Sequence, residues 1–403
     1  MSLLAVAEAQ ARLLADARPL STETLRLAQA HGRRLAADVT ALRDQPPFAG
    51  SAMDGYAIRW ADRAGPWRLV GESAAGRRFD GVVGAGETAR IFTGAPLPDG
   101  ADTVVVQEDV ERRGGTVLLT RDGPPRLGAH IRAAGQDFAG GAVVAVAGAV
   151  LTPARLGLLA AAGHGSAIVV RRPRVVILAT GDELVPPGML PGPDQIVSSN
   201  GVMLASLLGS EAEVIDGGIV PVRRDALEAA IRFADGADLL VTIGGASVGD
   251  HDLVVPVLTA MGAAIDFWKV ALRPGKPMLS GCLGALRIVG LPGNPVSAFV
   301  CAQLFVRPLL RALGGDPSPL PLLFAARLGA PLPANNARQD YMRATAVNTP
   351  DGPVVTAASR QDSGMLRTLA DAGALIVRPP NIAAADVGET VLCHALDFVP
   401  AVA

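Results

Sequence analysis

The sequence predicts a multidomain protein of the α/β plus β class with a doubly wound α/β domain at its centre. Three observations carry this. From Arg174 onward apolar strand-like runs alternate with helical patterns, from Leu35 to about Asp137 short apolar runs are broken by Gly and Pro clusters, and beyond Gly314 to Pro321 short alternating strands return. At 403 residues, half of them hydrophobic, the chain is long enough for several domains.

Taken in order, Leu3 to Ala17 and Thr22 to Ala30 carry helical apolar spacing, the second with Ser21 placed to cap it and Gly32 to end it. Trp67 to Val70, Thr103 to Gln107 and Thr116 to Thr120 read as strands of a mostly β region. Leu151 to Ala162 returns to helical spacing, so it and the first helices are expected to form one module interrupted by the β insertion. Next come VVILAT, GVMLASLLG, EAEVID, RDALEAAIRFA, ADLLVTIGG and LVVPVLTAMG, strand and helix by turns, then two more strands and a helix. After the Gly314 to Pro321 linker, Ala325 to Leu328 and Ala374 to Arg378 read as strands of a small terminal β domain.

Composition narrows the function. A net charge of -2 and 4% aromatic residues offer neither the basic stripe nor the stacking platform of a nucleic-acid binder. Glu8 and Asp16 interrupt the start and no basic segment precedes a long apolar run, so no signal peptide is expected, and no segment reads as a membrane span. Cys282, Cys301 and Cys393 are scattered without a CxxC pair and the five histidines include no HxxxH, which argues against a zinc cage or a disulfide framework and for a reducing cytoplasm.

The 36 Lys and Arg residues include only two lysines, Lys269 and Lys276, both between Phe267 and Pro277. A bias toward Arg explains the depletion but not the clustering of the survivors. An ammonium and a guanidinium are not interchangeable at a tight anion site, so FWKVALRPGKP is a candidate oxyanion site.

Three loops follow predicted strands: Thr180-Gly181-Asp182-Glu183, Gly244 to Asp252 with Gly245, Ser247, Gly249 and Asp250, and Leu291-Pro292-Gly293-Asn294-Pro295, where Asn294 is placed as N-cap and Pro295 as first helical residue. At the carboxyl ends of α/β strands such loops outline a phosphate-accepting rim. Glu183, Asp250 and Asp252 repel phosphate unless a divalent cation bridges them, Mg2+ by preference; the competing reading is that they cap helices, Asp250 first. No GxxxxGK[ST] and no helix-opening GxGxxG occurs, which disfavours a P-loop or dinucleotide site. In the β region, Pro46 to Ala57 and Phe92 to Pro96 are not simple strands. Small residues around Asp54 allow a ligand or a backbone to approach closely, or Asp54-Gly55 forms the corner of a tight turn.

PPFAGSAMDGYAI, IFTGAPLPDGADTVVVQED, IRAAGQDFAGG, ILATGDELVPPG, VTIGGASVGDHD, FWKVALRPGKPM and LPGNPVSAFV stand in order from about Leu3 to Ala374. In these the chain resembles the bacterial MoeA proteins, molybdopterin molybdenumtransferases, related to the C-terminal domain of gephyrin. The resemblance implies a discontinuous elongated domain (1–42 and 138–172), a β-rich insertion (43–137), an α/β domain of the molybdopterin-binding type (173–314) and a C-terminal β-barrel (318–403). It implies a cytoplasmic homodimer that inserts molybdate into adenylylated molybdopterin with Mg2+-dependent release of AMP. Its further partners would be the molybdopterin adenylyltransferase and acceptor molybdoenzymes.

Carried over by motif, Asp54, Thr93, Asp137, Glu183, Asp252 and, less directly, Asp225 match the family's essential cleft residues. Arg273, Lys276 and Pro277, with Arg343 and Ser363 from the C-terminal domain, match its molybdate site. Thr180, Gly181, Gly244, Gly245, Ser247, Gly249, Pro292, Gly293 and Asn294 would contact substrate, and Glu183, Asp250 and Asp252 would hold Mg2+. Many relatives read FDNSAMDGY and GED where this chain has Phe48-Ala49-Gly50 and Gly135-Gln136-Asp137, each change removing a carboxylate.

Overall fold

The computed structural model describes residues 3–245 and 253–400, so Ser247, Gly249, Asp250 and Asp252 lie outside the described residues. Contacts divide the chain into two units, Thr22–Val169 and Met1–Ser21 with Val170–Ala403. The first helix, α1 (Val6–Ala15), belongs to the latter.

Within Thr22–Val169 the chain forms β1 (Thr22–Arg26), β2 (Val39–Thr40), β3 (Gly50–Ser51), β4 (Gly55–Ile58), β5 (Trp67–Ser73), β6 (Glu87–Ile91), β7 (Thr103–Val106), β8 (Val110–Arg113) and β9 (Thr116–Leu119). β10 (Ile131–Arg132), β11 (Val143–Ala145), α2 (Pro153–Ala161) and β12 (Ser166–Val170) follow. Six strands make one sheet in the order β7-β4-β6-β5-β9-β8. Period-two alternation sets its faces: Tyr56, Ile58, Val105, Val117 and the fully buried Trp67 pack on one side, Ala57, Val104 and Ile91 on the other. The expected helix over Thr22 to Ala30 is instead β1, paired with β12, and a single 3-10 turn at Leu27–Gln29. Alternate exposure along Thr22–Arg26 and two threonines suit an edge strand, and the partner strand some 140 residues away is invisible to local spacing.

In the second unit β13 (Arg174–Thr180), β14 (Leu184–Val185), β15 (Ile196–Val197), α3 (Asn200–Leu208), β16 (Glu213–Val220), α4 (Arg224–Phe233), β17 (Leu239–Ile243) and α5 (Val254–Ala260) come first. They are followed by β18 (Ala264–Lys269), β19 (Leu272–Arg273), β20 (Pro277–Leu283), β21 (Leu286–Leu291), α6 (Pro295–Cys301) and α7 (Arg307–Leu313). The sheet order is β16-β13-β17-β21-β20-β18, parallel through β21 and antiparallel beyond it. Val175 and Ile177 face the layer holding α3 and α6, while Val176 and Leu178 face α4 and α5, so β13 is buried on both sides. The sheet is doubly wound, with one strand more after α5 than the pattern predicts and the short β19 besides.

α6 and α7 join through a π-helical turn at Ala302–Val306 into an apolar rod, Pro295–Leu313. Its 19 residues are long and apolar enough to cross a membrane, which the sequence reading overlooked, but 78% of it is buried inside the protein, as a core helix is. α1 packs on this rod through Val6, Ala9 and Leu13. In Thr22–Val169, α2 has Leu159 buried in a core with Leu35 and Val169.

The chain ends in β22 (Leu323–Leu328), β23 (Gln339–Thr349), β24 (Gly352–Ala357), α8 (Leu366–Ala370), β25 (Ala374–Arg378) and β26 (Thr390–Ala395). Pairing runs β23-β24-β22-β26-β25 and returns to β23, closing a five-stranded barrel to which β19 adds in parallel at the start of β23.

Candidate functional site

Adjacent strands β13, β17 and β21 end together, and their loops open into a cleft of about 790 Å3 lined by Thr180, Gly181, Glu183, Gly244, Gly245, Pro292, Gly293, Asn294 and Pro277, with Ser198 to Asn200 on its far wall. Two positions need glycine. Gly244 and Gly245 have φ of +85° and +66°, and a Cβ on Gly245 would come within 2.3 Å of Val254. Thr180 is buried and its hydroxyl donates to the Ile243 carbonyl at 3.3 Å, tying two of the strand ends.

Asn294 sits at the N-cap of α6 with Pro295 at N1, but its side chain does not cap the helix. Its Nδ2 donates to Ser363 Oγ at 3.0 Å, and the Ser363 carbonyl instead accepts from the Val296 amide at 3.1 Å. The segment after β24 thus closes the helix end, and Gly364 lines the cleft. On the other side Asn200 Nδ2 donates to the Gly293 carbonyl at 2.7 Å.

Arg343, on β23, is 1% exposed behind this segment. Gln361 Oε1 accepts from its amide at 3.0 Å and from its Nε at 3.2 Å, and Nη1 donates to the Met365 carbonyl at 3.2 Å. Nη2 is buried without a hydrogen-bond partner among the described residues. Burial pulls the Arg343 pKa below its ordinary value, against Asp362 and Asp340, which favour the charge. A buried guanidinium with an unused donor is costly unless a further acceptor completes it.

Lys276 is exposed in the loop before β20, next to the cleft residue Pro277. Arg273 is differently placed from a free ligand: its Nε donates to Asp340 Oδ2 at 2.8 Å, its Nη2 donates to the same oxygen, and Nη2 lies 3.5 Å from Asn335 Oδ1.

In Thr22–Val169, Asp54 links β3 to β4. Its Oδ1 accepts from the Thr93 amide at 2.7 Å and the Thr93 hydroxyl at 2.8 Å, and these bonds, with Arg90 nearby, hold its carboxyl below the usual range. Arg90 lies over the rings of Tyr56 and Phe92 and donates from Nη1 to the Gly55 carbonyl at 3.0 Å. Gly55 resolves the two readings of this segment: a Cβ there would stand 2.0 Å from the Val105 carbonyl oxygen, so the small residue admits a neighbouring strand. Asp137 is exposed beyond β10, at the opposite end of the β3–β10 ladder from Asp54. Asp225 lies in the first turn of α4, exposed and 3.5 Å from Arg223, and does not line the cleft.

Models of three regions match the chain in succession: MoeA N-terminal region (domain I and II) over residues 4–163, Probable molybdopterin binding domain over 176–312, and MoeA C-terminal region (domain IV) over 325–396. Molybdopterin molybdenumtransferase of Haemophilus influenzae is 36% identical over 380 residues, covering 93% of this chain and 93% of its own. The chain belongs to the molybdopterin molybdenumtransferase family. The Nostoc molybdopterin molybdenumtransferase is also 36% identical, over 393 residues, covering 94% of this chain and 88% of its own. Two crystal structures of a molybdopterin biosynthesis MoeA protein from Pyrococcus horikoshii superpose with TM-scores of 0.83 and 0.82 at 30% and 27% identity, covering 98% of this chain and 99% and 100% of theirs. Molybdopterin molybdenumtransferases are transferases of molybdenum cofactor biosynthesis, and this chain is one of them.

Of the family's expected Mg2+ ligands only Glu183 is described; no group of three His, Cys, Asp or Glu side chains suited to a metal occurs among the described residues. Glu183 is exposed, with its carboxylate over Gly181, an open oxygen donor of the kind Mg2+ takes. Asn200, Gln361 and Asp340 were not singled out from sequence. Their partners lie 93, 18 and 67 residues away, and no local pattern signals such pairs.

Proposed function

We propose that the protein inserts molybdate into adenylylated molybdopterin and releases AMP, yielding molybdenum cofactor. The observation that carries this reading is the cleft at three parallel strand ends, where glycine-rich backbone and the start of α6 meet the lysine loop and the segment covering Arg343. The Gly293 amide suits a phosphate oxygen, while the Gly181 and Gly244 amides are held by the Val220 and Leu291 carbonyls at 3.4 and 3.0 Å, so these two glycines serve by letting substrate approach the backbone; Ser247 and Gly249 belong to the same reading and lie outside the described residues. Lys276, next in sequence to the cleft residue Pro277, suits a tetrahedral dianion, and in this reading Ser363 and Arg343, whose buried Nη2 has a donor to spare, would complete its site.

Glu183, with Asp250 and Asp252, would hold Mg2+, which when bound neutralises charge on the leaving phosphate. Water adds across the phosphoanhydride and AMP leaves; as the two dithiolene sulfurs bond to molybdenum, one molybdate oxygen departs as water, taking the two thiol protons, with no change of oxidation state. In our reading the protein works as a cytoplasmic homodimer in which Asp54, Thr93 and Asp137 also serve the reaction, with Asp225 as an accessory acid. It receives substrate from the molybdopterin adenylyltransferase and passes product to acceptor molybdoenzymes.

The test is AMP release from adenylylated molybdopterin with Mg2+, with and without molybdate, followed by metal analysis of the pterin. Molybdate-dependent AMP and a molybdenum-loaded pterin are expected. Substrate that stays intact throughout overturns the reading, and adenylylation of molybdopterin by Mg-ATP assigns the preceding step instead.

A further inference from the structure

We propose that Arg273 is a latch, not an oxyanion ligand: its ion pair with Asp340 fastens the loop bearing Lys276 to the C-terminal barrel and so sets molybdate affinity without touching the ion. This rests on reading Lys276 as a molybdate-binding residue.

Both bonds from Arg273 go to one Asp340 oxygen, and the Asp340 side chain is only 7% exposed. Turning Arg273 toward an anion would strand that buried carboxylate, a loss larger than a half-exposed ligand contact returns. The second acceptor is equally fixed, since Asn335 Nδ2 donates to the carbonyls of Arg338, Arg378 and Pro379 at 2.8, 2.9 and 2.9 Å. Backbone pairing follows the same line: β19 runs parallel to β23 with Arg273 opposite Asp340, and the Gln339 amide donates to the Ala271 carbonyl at 2.9 Å.

The remainder of the loop has no slack. The Val270 amide donates to the Lys276 carbonyl at 3.2 Å, and the buried Cys301 thiol donates to the Gly275 carbonyl at 3.7 Å. Gly275 has a φ of +115°, and a Cβ there would meet Cys301 Sγ at 2.5 Å. Held at both ends, the loop leaves Lys276 exposed, and no ion pair occupies its ammonium among the described residues.

The experiment is a double-mutant cycle of Arg273→Gln and Asp340→Asn, with Lys276→Ala alongside, read as KM for molybdate and kcat for AMP release. Each single change should raise KM about tenfold with kcat held within about twofold, because a misplaced ligand weakens binding before it alters chemistry. The double variant should be no worse than the poorer single one. Arg273→Lys, which keeps a charge for Asp340, should recover part of the loss and serves where Arg273→Gln does not fold. If Asp340→Asn leaves KM unchanged or lowers it while Arg273→Gln raises it, Arg273 is a ligand and the latch is wrong. If Lys276→Ala leaves KM unchanged, the molybdate reading of the loop falls, and the latch with it.

Discussion

Thr93 gives Asp54 two hydrogen bonds at once, one from its amide and one from its hydroxyl, at 2.7 and 2.8 Å on the same carboxylate oxygen. Donors to the ionised form favour it, so Asp54 keeps its charge to lower pH than a free aspartate. Thr93→Val keeps the amide and removes the hydroxyl, and the Asp54 pKa should rise toward its ordinary value. An activity that needs the carboxylate is lost as pH falls through that pKa, so the acid limb of the kcat/KM profile should move to higher pH. A profile that stays in place would show that the hydroxyl does not govern Asp54.

Gly55→Ala should destabilise the unit Thr22–Val169 by about 3 kcal/mol or more, since the added methyl meets backbone rather than a movable side chain. Thermal denaturation gives the answer directly. A variant as stable as the parent would mean β4 and β7 can part without cost.

Lys276→Ala should raise KM for molybdate by about 10–100-fold, the range of one charge-assisted hydrogen bond. Because the side chain is exposed, stability should change by less than about 0.5 kcal/mol. Loss of folding, or an unchanged KM, would each contradict the assignment.

His394 is buried in the barrel beside the Tyr341 ring, its Nδ1 without a hydrogen-bond partner among the described residues, and burial drives its pKa down to about 4. The unfolded chain binds this proton near the ordinary value of 6.5, so stability is complete above 6.5 and declines as pH falls toward about 4. His394→Leu should flatten that decline. A melting temperature that drops as steeply in the variant would assign the acid sensitivity to other groups.

The legible parts of this protein were those with short-range causes. Alternating strand and helix patterns from Arg174 marked the doubly wound sheet because β13 and β17 are buried on both faces and their apolar runs are unbroken. The glycine loops were readable because Gly244 and Gly245 occupy backbone conformations other residues avoid. Thr22–Arg26 was misread because its strand partner, β12, is distant in sequence. The same holds at the site. Lys276 stood out by rarity, yet nothing near Arg273 in the chain announces Asp340, and nothing near Asn294 announces that Ser363 takes both its side chain and its capping duty.

The placement of α1 bears on how the chain is made. Leu4 bonds to Lys269 and Ala271 on either side, Gln10 reaches the Leu304 carbonyl, and Val6, Ala9 and Leu13 are buried against the rod at Pro295–Leu313. Once made, α1 thus waits for nearly the last part of the α/β sheet's helical cover, roughly 15–60 s at ordinary translation rates. During that interval its apolar stripe is bare while Thr22–Val169 can already form its own cores, so the nascent protein carries a sticky helix that only later synthesis can shelter.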